Sequence, residues 1–163
     1  MNVILAAEVL LLISVANSVP LFIRSLVFNS RATHPVDGGI QLPDGRFLFG
    51  PTKTVEGLVF SIAATALAAY LMGLALYVGL LVSIGAMAGD LASSFIKRRL
   101  ALAPSSKATG LDQIPEALAP SLLAASILPI RAGDVAAIVG VFFCGEMILS
   151  WMLYQIGMRE QPY

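Results

Sequence analysis

A chain of 163 residues that is 58% hydrophobic, 12% charged and has a mean hydropathy of +0.86 lies outside the range of soluble domains, where roughly a quarter of residues are charged. Ten Lys and Arg balance ten Asp and Glu, so no bulk field draws the chain to nucleic acid, and a single cysteine, Cys144, excludes an internal disulfide. The chain is therefore expected to be one integral membrane domain over residues 1–163, all-α and polytopic.

A helix that crosses the hydrocarbon needs about 20 mostly apolar residues, and five segments meet that length. The first covers about residues 2–23. No Lys or Arg precedes it, which argues against reading Ala16-Asn17-Ser18 as a signal-peptidase site. From Gly57 to Gly89 no side chain is charged. That run is too long for one helix and divides into spans over about 54–71 and 74–95, with a turn near Met72-Gly73. The fourth and fifth spans cover about 114–130 and 135–158, leaving loops over about 24–53 and 96–113. Arg24, Arg31, Arg46 and Lys53 fall in the first of these loops, Lys97, Arg98, Arg99 and Lys107 around the second, and Arg159 in the tail. All lie on one side, and only Arg131 lies on the other. The positive-inside rule thus places both loops in the cytoplasm and the N-terminus outside, as expected of a multi-pass protein of the cell membrane.

In the first loop the apolar period gives way to turn chemistry. Pro43-Asp44-Gly45, set between Ile40-Gln41-Leu42 and Arg46-Phe47-Leu48-Phe49, predicts a small β-hairpin at the membrane surface. Asp37-Gly38-Gly39 is a different signal. Consecutive glycines let backbone N–H groups converge on an anion. The loop closes on Gly50-Pro51-Thr52-Lys53-Thr54, and Pro51 is expected to preorganise the start of the second span. The N–H groups of that helix end, the hydroxyls of Thr52 and Thr54, and Lys53 together make a phosphate cradle, with Glu56 one turn on. A capped helix with a snorkelling lysine is the plainer alternative.

The third span ends in GDLASSFIKRR, residues 89–99. At 100° per residue, Asp90, Ser94 and Lys97 share a face about 60° wide, flanked by Ser93 and Arg98. An ionised carboxylate at the edge of the hydrocarbon needs a cation or a metal, so Asp90 is a candidate ligand. Its structural alternative is an ion pair with Lys97. Asp112, at the start of the fourth span, reads as an ordinary N-cap when taken alone. Taken together, Asp90 and Asp112 face Arg46, Lys53, Lys97, Arg98 and Lys107 at one end of the bundle. Carboxylates, Mg²⁺ and substrate phosphates ringed by cations are how proteins commonly hold a nucleoside triphosphate.

On these residues the sequence resembles the archaeal CDP-archaeol synthases, short five-helix relatives of the bacterial phosphatidate cytidylyltransferases. The resemblance rests on Pro35 to Gly57, PVDGGIQLPDGRFLFGPTKTVEG, and on Gly89 to Arg99 followed by Leu111-Asp112-Gln113. In the wider superfamily pattern Ser94, Lys97, Arg98 and Asp112 match. Lys107 is followed by alanine, the His-Gly-Gly loop is missing and Gln113 replaces an arginine, which leaves no matched residues for a second metal. The resemblance implies Mg²⁺-dependent transfer of a cytidylyl group from CTP to an unsaturated archaeal ether-lipid phosphate, 2,3-bis-geranylgeranylglycerol 1-phosphate, with release of pyrophosphate. It implies Mg²⁺ on Asp90 and Asp112, the triphosphate on Lys53, Lys97 and Arg98, and a nucleotide pocket shaped by Asp37, Gly38 and Gly39. Arg46 would meet the lipid phosphate, and Asn17 would reach the nucleotide, reach the lipid head, or pack helices.

Two other classes are open to so apolar a chain. A permease would use Glu146 and Glu8 as a proton relay, and a scaffold would dock partners on its loops. Neither accounts for the polar constellation, because a permease concentrates ionisable groups at the midplane, whereas here they gather at the interface.

Overall fold

A computed structural model describes residues 2–23, 34–103, 106 and 108–155, without the side chain of Leu153. Lys107, Arg24 and Arg31 lie outside the described residues. Among the described residues five helices follow one another: α1 (Val3–Phe22), α2 (Val55–Leu71), α3 (Leu76–Arg99), α4 (Gln113–Ala125) and α5 (Ala132–Gln155). Among the described residues there is no strand, only two isolated antiparallel bridges, Pro35 with Thr54 and Gln41 with Phe47.

Local chemistry sets the helix ends. The Asn2 side chain accepts from Leu5 N at 3.2 Å and starts α1. Thr54, not Pro51, caps α2, its Oγ1 accepting from Gly57 N at 3.2 Å. The expected start at Pro51 fails because Gly50, Pro51 and Thr52 form a turn, in which Lys53 N donates to Gly50 O at 3.3 Å. The turn expected at Met72-Gly73 is present. Gly73 takes φ +79 and Leu74 N donates back to Ala69 O at 2.9 Å, a left-handed helix stop that glycine adopts without strain.

Helices α1, α3 and α5 are long and apolar enough to cross a membrane. The other two are shorter than a full crossing, although α2 matches the span expected over about 54–71. Seventeen residues of α2 reach about 25 Å and thirteen of α4 about 20 Å at 1.5 Å per residue, against about 30 Å of hydrocarbon. The fourth span, expected over 114–130, stops at Ala125 because residues 126–130 leave the helix ahead of and around Pro129.

Glycine sets the spacing of α3. A Cβ on Gly79 would stand 2.6 Å from Thr65 O and 2.7 Å from the Ala66 Cα of α2, one on Gly85 2.6 Å from the Pro120 Cα of α4, and one on Gly89 would overlap Pro115 O. Backbones meet directly at these points, the small-residue packing that apolar bundles use where burial in water gives no drive. Hydroxyls inside the bundle are satisfied by carbonyls, as when Ser61 Oγ donates to Ala16 O at 2.7 Å and ties α2 to α1. The main apolar core, which includes Leu5, Val9, Leu12, Val78, Ile130 and Ile138, fills the end holding the α2–α3 and α4–α5 turns. At the other end Ala16, Ala86 and Met87 form a small buried apolar cluster, with Leu58 against it.

Candidate functional site at the polar end of the bundle

The expected hairpin is present in minimal form. Leu42 N donates to Arg46 O at 2.9 Å, Gly45 N to Leu42 O at 2.8 Å and Leu48 N to Ile40 O at 3.0 Å. It is fastened to the end of α3. Arg99 donates to Asp44 Oδ2 at 2.7 Å and to the carbonyls of Phe47 (2.7 Å) and Arg46 (3.3 Å), and its guanidinium lies 5.3 Å from the Phe95 ring centre. In return Arg46 donates to Arg99 O. The final carbonyls of α3 have no helical partner of their own, so Arg46 serves as a C-terminal cap in this structure. Desolvation pushes the Asp44 carboxyl up, but the Arg46 N–H and the Arg99 guanidinium outweigh it and hold it below the usual carboxylate value.

Asp37 is buried, and its carboxylate accepts three backbone N–H bonds, from Gly39 (3.0 Å), Phe49 (2.8 Å) and Gly50 (3.0 Å). Burial raises its pKa. The three donors together lower it by more, and the net position is below the ordinary value. The expected anion nest at Gly38 and Gly39 is used internally, because Gly38 N donates to Pro35 O at 3.0 Å and Gly39 N to Asp37 itself. Glu56 accepts from His34 N and lies 2.6 Å from His34 Nδ1. Thr52 is half-buried in the turn before α2.

Lys53 points from this loop to α3, where its Nζ lies 2.5 Å from Asp90 Oδ1, both side chains mostly buried. The alternative that paired Asp90 with Lys97 is therefore corrected: Lys97 Nζ lies 2.6 Å from Asp112 Oδ1 and donates to Ser106 O at 3.1 Å. Asp112 is not an ordinary N-cap either. Its side chain makes no capping bond to α4, and Oδ2 instead accepts from Ala108 N at 3.0 Å. Oδ1, buried, meets the ammonium as an ion pair without hydrogen-bond alignment. Ser93 and Ser94 are buried beside this face, Ser93 Oγ donating to Asp90 O at 2.9 Å. Arg98 is buried, donates to Ala103 O at 2.8 Å and keeps an Nε without a partner. Asn17, on α1, has a buried Nδ2 that is likewise unpartnered.

A third acid, to which the sequence pattern assigns no role, joins the cluster. Glu116 lies against Asp90, with Lys53 and Asp112 the other charged groups acting on it. Its spacing of four from Asp112 was the available signal, since positions i and i+4 share a helix face. Gly89 lets α4 come so close to α3 that its Cβ would strike Pro115, and this brings Glu116 beside Asp90. Among the described residues no group of three or more His, Cys, Asp or Glu forms a self-contained metal site. The paired carboxylates suit Mg²⁺ better, because that ion is commonly held by one or two carboxylates plus substrate phosphates. Next to them an apolar groove of about 430 Å³ runs between α3 and α4, lined by Ala88, Gly89, Ala92, Pro115 and Leu118 among others.

Comparison with known proteins identifies what this arrangement belongs to. The family described as CarS-like, CDP-archaeol synthase, matches residues 1–163. The chain is 36% identical to the CDP-archaeol synthase of Aeropyrum pernix over 99% of this chain and 93% of that protein. It is 29% identical to that of Thermofilum pendens over 91% of this chain and 76% of that one. It is also similar to a solved structure of an intramembrane enzyme for archaeal membrane lipids biosynthesis, with a TM-score of 0.75 and 30% identity over 88% of this chain and 91% of the other.

Proposed function

The chain belongs to the CDP-archaeol synthase family, a cytidylyltransferase of archaeal lipid synthesis working in the membrane, and we propose that its polar end is where the transfer occurs. The observation that carries this reading is the pair of lysine–carboxylate contacts, Lys53 with Asp90 and Lys97 with Asp112, set side by side around Glu116. Two carboxylates for a cation and two ammonium groups for phosphate stand within one cluster. CTP and a lipid phosphate, the substrates that membership of the family implies, need such a site.

The nucleophile is a phosphate oxygen of the lipid. It attacks the α-phosphorus of CTP, the bond to the β-phosphate breaks, and pyrophosphate leaves. Both reacting groups are already ionised at neutral pH, so the work of the protein is alignment and charge neutralisation. Asp90 and Asp112 would hold Mg²⁺, with Glu116 at hand, and that ion would supply charge neutralisation on the phosphates. Lys53, Lys97 and Arg98 neutralise the triphosphate and the departing pyrophosphate, the free Nε of Arg98 being one donor still to be used. Lys107, which lies outside the described residues, is assigned to the same phosphates by the resemblance of the sequence alone. Ser93 and Ser94 line the α3 wall, and the Asn17 amide offers its unpartnered Nδ2 to the nucleotide or lipid head. The groove between α3 and α4 abuts Gly89 and Pro115, the neighbours of Asp90 and Glu116, so an isoprenoid chain lying there would present its phosphate to the carboxylates.

We assign all five helices to the membrane, α2 and α4 crossing with the help of their flanks, with the polar end cytoplasmic and the N-terminus outside. In a Cys144→Ser background, cysteine at position 131 should label with an impermeant reagent in intact cells; labelling at 31 or 107 instead reverses the orientation. The chemical test mixes purified protein with α-labelled CTP and the bis-geranylgeranyl ether-lipid phosphate. Label should enter the lipid with Mg²⁺ and stop with a chelator, and transfer that persists in the chelator removes the metal from the reading.

A further inference from the structure

We propose that Asp37 is a positioning residue that sets where Lys53 and Arg98 stand, rather than a wall of the nucleotide pocket. Its carboxylate oxygens are taken up by Gly39, Phe49 and Gly50 N–H groups, so no N–H of that turn is left for an anion. The network it closes leads to the cations. Gly50 N is held by Asp37, and Gly50 O accepts from Lys53 N. On the other side Val36, next to Asp37, donates to Lys53 O at 2.8 Å, and Val55 N donates to His34 O at 2.9 Å. The Lys53 backbone is thus clamped at both its N–H and its carbonyl, and both clamps run through Asp37 or its neighbour.

The second path runs to Arg98. Gly50 takes φ +103, a conformation that side chains other than glycine rarely adopt, and a Cβ there would lie 3.5 Å from Arg98 Nη1. A methyl group at Gly50 would therefore touch the Arg98 guanidinium, which sets this turn beside that cation. A carboxylate that fixes Gly50 fixes the approach of both cations, and no other ionised side chain is bonded to this turn among the described residues.

The inference rests on the assignment of Lys53 as a triphosphate ligand, so Lys53→Met is measured first; unchanged turnover there overturns that assignment and this inference with it. Given a loss in Lys53→Met, Asp37→Asn should lower kcat by about 10²-fold, the scale of a 1 Å misplacement of a catalytic group, in protein that still elutes as a helical bundle. The decisive readout is the double variant. Because one of the two paths from Asp37 ends at Lys53, Asp37→Asn added to Lys53→Met should lower kcat by less than it does alone, the remainder being the path to Arg98. A merely structural role lowers the melting temperature and multiplies the two losses in full, and that outcome, or a wild-type kcat in folded Asp37→Asn, overturns the proposal while leaving the site assignment standing. If Asp37→Asn does not fold, Gly50→Ala carries the same test with the carboxylate intact: a loss of kcat that is not additive with Lys53→Met supports the proposal, and no loss or a fully additive one ends it.

Discussion

The two ends of the bundle are built by opposite means. At the end holding the α2–α3 and α4–α5 turns, a continuous apolar core runs from Leu5 and Val9 to Ile130 and Ile138, and its buried acid, Asp134, serves locally by accepting from Arg131 N at 3.0 Å. At the other end the apolar cluster shrinks to Ala16, Ala86 and Met87. The space beyond is filled by Lys53, Asp90, Lys97, Arg98, Asp112 and Glu116. One end is held by shape. The other is held by charges whose partners come from different segments, and a charge that bonds a partner is also a charge that can bond a substrate.

That contrast can be broken in order of effect. Of the changes that compare the two ends, Lys97→Met should do most, because it removes a proposed phosphate ligand and strands Asp112. Breaking a buried pair costs on the order of 3–5 kcal/mol, so both turnover and melting temperature should fall, by about 10²-fold or more for turnover. Next comes a matched comparison between the ends. Leu12→Ala empties part of the apolar core, where such changes cost about 2–5 kcal/mol, and should lower the melting temperature while leaving kcat of the folded protein near wild type. Gly89→Ala should lower kcat clearly as well as stability, because its methyl group meets the backbone of Pro115 and Glu116 and pushes them away from Asp90. Equal effects of the two changes on kcat would erase the distinction. Acid gives the mildest probe. Asp37 has a lowered folded pKa, so its contribution to stability is present above about pH 4 and is lost as pH falls through the folded value. A plot of melting temperature against pH should be flatter on its acid side in Asp37→Asn than in wild type.

Much of this was legible in the sequence, and the gaps have physical reasons. The membrane class, the turn at Met72-Gly73, the hairpin at Pro43-Asp44-Gly45 and the gathering of Asp90, Lys97 and Asp112 follow from hydropathy, turn chemistry and helical angle. The pairing did not follow. Helical angle relates residues on one helix, so it put Asp90 with Lys97, whereas the observed partners, Lys53 and Asp112, come from other segments. Thr54 outcompeted Pro51 as the start of α2 because a side-chain oxygen satisfies a free N–H and proline only sets φ. Asp37-Gly38-Gly39 looked like an anion nest because the pattern does not reveal that the aspartate itself is the anion. Glu116 was hidden for a similar reason: its neighbour Asp90 lies across the helix contact made possible by Gly89, which no local pattern encodes.

We propose that Asp90 serves the substrates and not merely Lys53. Cytidylyl transfer from α-labelled CTP to the ether-lipid phosphate, measured in Asp90→Asn and in Asp90→Asn with Lys53→Met, tests this most directly. The single change should abolish transfer to within background and lower the melting temperature, since Lys53 loses its partner. The double change should restore the melting temperature, because neither charge remains to be stranded, and should still transfer no label. Recovery of transfer in the double variant would contradict the account and leave Asp90 as the structural partner of Lys53.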